Sequence, residues 1–149
     1  MRYLLASLAL LWATSASATS VAPRLLEQIV ADADYVVVAN IERVDMIDRR
    51  GRAVTDPEAR TGPGGTNEIR FHLKVKEALF ARSGAVPPTL VVPLWKMWHF
   101  TLGDMQEQAS KEDSIFLLKG DRFEPAYPAD FQRPMEEKAR IKKLLAPRR

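Results

Sequence analysis

The chain has 149 residues, 46% hydrophobic and 28% charged, with 22 Lys and Arg against 19 Asp and Glu, a net charge of +3 and no cysteine. Without cysteine there is no disulfide, no thiolate metal centre and no lipid-modified amino-terminal Cys of the kind that anchors bacterial lipoproteins. A length of this order predicts one domain whose core is large enough to fold without covalent staples.

The opening stretch MRYLLASLALLWATSASA reads as an export signal over residues 1–18, with Arg2 as the positive start, an apolar run from Tyr3 to Trp12 and a small-residue cleavage site at Ala16-Ser17-Ala18. The run is far shorter than the about 20 apolar residues that span a bilayer. Cleavage at Ala18 would leave residues 19–149 as one periplasmic or secreted domain, and a cysteine-free exported chain suits a bacterial envelope. Pro23 fits the first turn of a short helix that places Leu25, Leu26, Ile29 and Val30 on one face.

Tyr35 to Ile41 is rich in β-branched residues and reads as a strand. Val37, Ala39 and Ile41 share a face, but Val44 and Met46 fall one residue out of phase. The slip predicts a bulge near Glu42-Arg43 in a long, bent strand that two sheets can share. From Arg49 to Asn67 the chain collects Gly51, Pro57, Gly62, Pro63, Gly64 and Gly65 and reads as an exposed, mobile loop, with a short strand at Ala53-Val54.

Ile69, Phe71, Leu73 and Val75 alternate with Arg70, His72, Lys74 and Lys76, the pattern of a half-buried antiparallel strand with its odd positions inward. Thr89 to Trp98 is the next strand, and Pro93 makes it an edge strand or two pieces. Leu102 to Asp113 is polar, with one helical turn. Ile115 to Leu118 and Phe123 to Tyr127 flank Gly120-Asp121, a pair suited to a tight hairpin. Pro134 opens a carboxy-terminal helix with Glu136 and Glu137 in its first turn, a narrow stripe of Ile141, Leu144 and Leu145, and Pro147 at its end.

The segments ADYVVVANIERVDMIDR, EIRFHLKVKEALF, TLVVPLWKMW and DSIFLLKGDRFEPAY, with a long insertion after the first, resemble the small five-stranded barrels of the OB-fold class. They look most like exported bacterial relatives of netrin-type domains, whose architecture the tissue inhibitors of metalloproteinases share. The resemblance spans about Asp34 to Tyr127 and implies a mainly β fold: a five-stranded, OB-like antiparallel barrel flanked by short amino- and carboxy-terminal α-helices. It does not carry over protease inhibition, because those inhibitors bind the protease zinc through an amino-terminal cysteine. Fold likeness alone assigns no activity.

Chemistry-bearing clusters are sparse. His72 and His99 could meet across adjacent strands and, with a carboxylate, hold zinc or serve as a catalytic base, yet their spacing carries no ligand signature. Ser20, Ser83, Ser110 and Ser114 sit in no nucleophile motif. Gly62-Pro63-Gly64-Gly65-Thr66 lacks the lysine of a phosphate loop and leads into a strand. Asp45, Asp48, Arg49 and Arg50 have the charges of a calcium-dependent nuclease without its strand motif, and read as a solvated loop mouth.

The densest cluster is Trp95-Lys96-Met97-Trp98-His99-Phe100. Strand alternation would send Trp95 and Met97 to one face and Trp98 and Phe100 to the other or beyond the strand end, and the competing expectation is that these aromatics are core, covered by the carboxy-terminal helix. Exposed aromatics beside a cation suit stacking on a partner. The carboxy-terminal segment 133–149 carries Arg133, Lys138, Arg140, Lys142, Lys143, Arg148 and Arg149 against Glu136 and Glu137, so the chain's basicity sits there and can touch an anionic envelope surface. The sequence therefore predicts an exported, non-catalytic binding or adaptor module that recognises an envelope protein or polysaccharide through Trp95, Lys96, Trp98, His99 and Phe100. It predicts no cofactor, no metal and no nucleic-acid partner. An envelope-polymer hydrolase using His72 or His99 is the competing expectation.

Overall fold

A computed structural model describes residues 21–148; the export signal expected at residues 1–18 lies outside the described residues. The fold is mainly β: one antiparallel sheet and three short helices. Helix α1 spans Leu26–Asp32, three residues beyond Pro23, and the Gln28 side chain accepts a hydrogen bond from the Leu25 N–H at 3.1 Å. Leu25 is thus the cap outside the helix and is exposed, leaving Leu26, Ile29 and Val30 as the buried stripe.

Strand β1, Tyr35–Ile47, is the spine of the sheet. It pairs along its whole length with β3, Glu68–Ala81, from Tyr35 opposite Ala81 to Ile47 opposite Glu68. Its first half also pairs with β5, Ser114–Lys119, and its far end with β2, Ala53–Val54. The expected bulge is present as a register shift between Ile41 and Arg43, joined by two further slips, at Val36/Val37 and Val38/Ala39. The β3 alternation is as read: Ile69, Phe71 and Leu73 are buried, and Val75 is half-buried.

Strand β4, Thr89–Pro93, lies at one edge of the sheet and ends at its proline. Beyond Pro93 the chain leaves the sheet, so the third strand is shorter than the expected run to Trp98. Residues 102–113 contain a seven-residue helix, α2, Leu102–Gln108, capped by the Thr101 hydroxyl, which accepts from the Asp104 N–H. Strand β6, Glu124–Pro125, follows β5 through Gly120–Phe123, a longer turn than the tight hairpin expected; Gly120 and Phe123 both take positive φ. Strand β7, Gln132–Arg133, adds to the end of β5.

The sheet order is β4-β3-β1-β5-β6, with β2 on β1 and β7 on β5, and no hydrogen-bonded pairing joins β4 to β6. Each of the two facing edges carries an outward proline. The Leu94 N–H bonds to the Ile69 carbonyl and the Val75 N–H to the Pro88 carbonyl, so in the antiparallel alternation Leu90 and Val92 bond toward β3 while Thr89, Val91 and Pro93 turn their backbone groups outward. By the same count Pro125 faces away from β5, because Ala126 donates to the Leu117 carbonyl. Both facing edges present a residue with no N–H to give.

Each face of the central strands is covered. Val37, Ala39, Phe116 and Leu118 point into one core with Phe71, Met46 and Phe131. Val36, Val38, Ile115 and Leu117 point into a second, under α1 and the carboxy-terminal helix α3, Lys138–Leu145, which contributes Ile141 and Leu145. A 3₁₀ turn at Met135–Glu137 precedes α3, and Ala146–Arg148 forms a second one in place of a stop at Pro147. The basic tail is largely engaged within the molecule. Arg133 pairs with Asp130 and Glu137, Lys138 with Glu77 and Arg140 with Glu27, and the Arg148 guanidinium donates to the Val30 and Ala33 carbonyls while lying 4.3 Å over the Phe80 ring. Lys142 and Lys143 remain exposed on α3. Among the described residues no helix is long and apolar enough to cross a membrane.

Candidate binding site

Because the chain leaves the sheet at Pro93, residues 95–100 follow an irregular arch, and strand alternation does not govern them. Trp95, Trp98 and Phe100 are therefore not sent to opposite faces. They form one half-buried cluster, Trp98 standing edge-on to Trp95 (centroids 5.4 Å apart, planes at 78°) and to Phe100 (5.7 Å, 88°). Edge-to-face contacts of this kind hold each ring in place through its neighbour's quadrupole. Lys96, Met97 and His99 point to solvent.

The arch is pinned by the segment expected to be mobile. Thr61 is buried; its hydroxyl donates to the Trp98 carbonyl at 2.7 Å and accepts from the Phe100 N–H at 3.2 Å, and its own N–H donates to the Phe100 carbonyl. Further along, Leu102 donates to Ala59 and Gly103 to Pro57, and Arg60 and Thr101 form a β-bridge. Gly62 follows at φ +147°, a backbone conformation that residues with a side chain rarely adopt, and the exposed His99 ring packs in the space a Cβ would fill. The insertion is thus an ordered brace.

Around the cluster is a pocket of about 270 Å³ lined by Phe71, Leu94, Trp95, Trp98, Phe100, Met105, Pro128, Ala129, Phe131 and Gln132. It adjoins a groove of about 470 Å³ between the ends of β4 and β6, with Leu94, Trp95 and Pro128 common to both. The groove carries Lys96, Lys119 and Arg122 with Glu68 and Glu124. Glu68 is buried, and its carboxylate holds Lys96 Nζ at 3.1 Å and Arg122 at 3.3 Å.

His72 and His99 occupy different settings. His72 Nε2 lies 2.8 Å from Asp45 and its Nδ1 3.1 Å from the Arg43 guanidinium; the carboxylate can only accept and the guanidinium only donate, which places the ring proton on Nε2. Arg70 grips the same Asp45 through two bonds, 2.9 and 2.8 Å. Burial opposes ionisation of Asp45, but the hydrogen bonds from Arg70 and His72 outweigh it and hold its carboxyl below the usual value. Both His72 nitrogens are engaged, and His99 stands against Gly62 instead. Neither lines the pocket or the groove. Among the described residues no group of three His, Cys, Asp or Glu could hold a metal. Asp48 closes the β1–β2 turn, accepting from the Arg50 and Arg52 N–H groups and pairing with the Arg52 side chain. Gly62 to Gly65 is a tight turn closed by the Gly65 N–H on the Gly62 carbonyl.

Nothing local in the sequence ties Thr61, Glu68, Phe71, Arg122, Phe131 or Gln132 to the aromatic cluster. Phe71 was visible as an inward position of β3; the others carry no local signal, since chain segments far apart in sequence bring them here. Compared with known protein families, curated proteins and solved structures, the chain matches none.

Proposed function

We propose that this chain is an exported, non-catalytic binding or adaptor module of the bacterial envelope, built on a half-open OB-like barrel whose five-strand path is β4-β3-β1-β5-β6. Its recognition surface is the arch, with Trp95, Trp98 and Phe100 forming the pocket wall, Lys96 in the adjoining groove and His99 exposed on the arch beside Gly62. The observation that supports this reading is a preformed, aromatic-walled pocket opening into a charged groove, held in shape by Thr61. Preformed apolar pockets with a few polar groups at the margin are the usual form of a ligand site, and tryptophan commonly dominates the affinity of such surfaces. A hydrolase using His72 has less support, because both ring nitrogens are already bonded to Asp45 and Arg43.

The test uses protein recovered from the periplasm, with an intact mass beginning at Thr19 as the expected product of export; a mass that retains Tyr3 to Trp12 rejects the localisation. The immobilised protein should retain an envelope component that Trp98→Ala and Lys96→Glu variants fail to retain. Trp98→Ala loses its edge-on contacts with Trp95 and Phe100 and Lys96→Glu faces the buried Glu68, so both should melt below the wild type, and retention is compared at a temperature where each variant keeps the wild-type far-ultraviolet circular dichroism. Retention unchanged by both substitutions rejects this surface.

A further inference from the structure

The pocket and the groove differ in chemistry, and together they narrow the class of ligand. Apart from the indole N–H groups, the one polar side chain lining the pocket is Gln132, whose amide already donates to the Ser114 hydroxyl at 3.2 Å. A sugar ring carries hydroxyls around its perimeter, and each one buried without a partner costs about 1–3 kcal/mol. A hydrocarbon or aromatic side chain brings no such cost. With two indoles and Gln132 as its polar side chains, the pocket meets only a few such hydroxyls, whereas an aromatic or aliphatic side chain leaves none unmet.

The groove is basic at its margin. Lys96, Lys119 and Arg122 outnumber Glu68 and Glu124 there, and Lys119 lies on the surface. Lys96 pairs with Glu68, and Arg122 with both Glu68 and Glu124 (3.7 Å), yet they keep 50% and 64% of their side-chain surface exposed; Lys119, which has no ion pair among the described residues, is the cation freest to meet an incoming carboxylate. Between them Glu68 acts as a buried anchor that aims two cations into the opening. The third element is β4. It ends one side of the sheet, turns the backbone groups of Thr89 and Val91 outward, leaves Val91 41% exposed, and runs directly into Leu94 and Trp95. An edge of this kind receives an extended chain by backbone hydrogen bonds, with side chains selected by neighbouring pockets.

We propose that the groove binds an extended acidic peptide segment of a partner protein: the segment lies along the outer edge of β4, places one large apolar side chain in the Trp95–Trp98–Phe100 pocket and sets its carboxylates against Lys96, Lys119 and Arg122. The proposal rests on the recognition surface described above and adds the class of its occupant. Pro93 limits the backbone pairing to the Thr89–Val91 stretch, because it offers no N–H.

The experiment pans a random-heptapeptide display library against the immobilised full chain and measures the selected peptides by fluorescence anisotropy. The expected winners carry an aromatic or large aliphatic residue flanked by Asp or Glu. Their affinity should fall about tenfold when that residue becomes Ser, about tenfold on Lys119→Glu, and steeply with added salt. Lys119 is exposed, so its variant should keep the wild-type melting temperature. Recovery of no peptide, or of basic or neutral ones, overturns the proposal. In parallel, chitotriose and muropeptide fragments are titrated against tryptophan fluorescence. If they bind and Trp98→Ala removes that binding, the peptide class is wrong while the surface stands. If neither peptides nor glycans respond to Trp98→Ala or Lys119→Glu, the surface itself falls.

Discussion

Asp45 faces Arg70 and His72 because β1 slips by one residue between Ile41 and Arg43. Before the slip the odd positions of β1 point into the first core; after it Val44 and Met46 take over that role, and Arg43 and Asp45 turn to the outer face beside His72 and Arg70. The sequence pattern exposed the slip, but not the carboxylate's partners, which sit on another strand. With its folded pKa depressed, Asp45 contributes stability that is present above its unfolded value of about 3.9 and lost as the pH falls through the folded value. The wild type should therefore be more stable than Asp45→Asn near neutrality, and the gap should shrink progressively below about pH 4. Denaturant melts of the two proteins across that range check it; a gap that stays constant from neutral to strongly acid pH would mean that ionisation of Asp45 contributes nothing.

The insertion between β2 and β3 shows where element-level reading stops. Its glycine and proline content predicts mobility, yet what fixes it is one buried hydroxyl and a few backbone bonds to residues far along the chain, and composition does not encode those. Replacing Thr61 with Val keeps the shape and removes both hydroxyl bonds, the one to the Trp98 carbonyl and the one from the Phe100 N–H. The expected loss of stability is about 1–3 kcal/mol. Ligand affinity should fall as well, because the arch loses its pin, whereas Thr61→Ser should restore both measurements by returning the hydroxyl. A Thr61→Val protein with wild-type affinity would reduce the brace to a structural tie. Elsewhere the local signals go further: alternation locates β3, and Pro93 marks β4 as an edge strand, although the run expected to reach Trp98 ends at that proline. The arch that follows escapes the alternation argument because a chain released from its ladder at Pro93 no longer alternates.

The two cores are separated by the sheet and joined through it, since the neighbours Ile115 and Phe116 on β5 are both fully buried but belong to opposite sides. In a sheet with one wet face, one of two such neighbours would be nearly neutral to truncation, because exposed strand positions usually change stability by about 0.5 kcal/mol or less. Here α1 and α3 cover the second face, and the internal pairing of Lys138, Arg140 and Arg148 holds α3 there. That coverage explains why the run Ile115 to Leu118 shows no alternation: both faces require apolar residues. Ile115→Ala should cost about 2–5 kcal/mol and Phe116→Ala about 3–5 kcal/mol. Each variant should also unfold in one transition, with tryptophan fluorescence, which in the protein beginning at Thr19 comes from Trp95 and Trp98 of the arch, coinciding with far-ultraviolet circular dichroism, which reports the whole chain. Strands β1 and β5 supply side chains to both cores, so neither core can lose its packing while the other keeps its wall. A fluorescence change that precedes the dichroism change in the Phe116→Ala protein alone would show that the aromatic side opens independently, and the molecule would then be two stability units sharing a sheet.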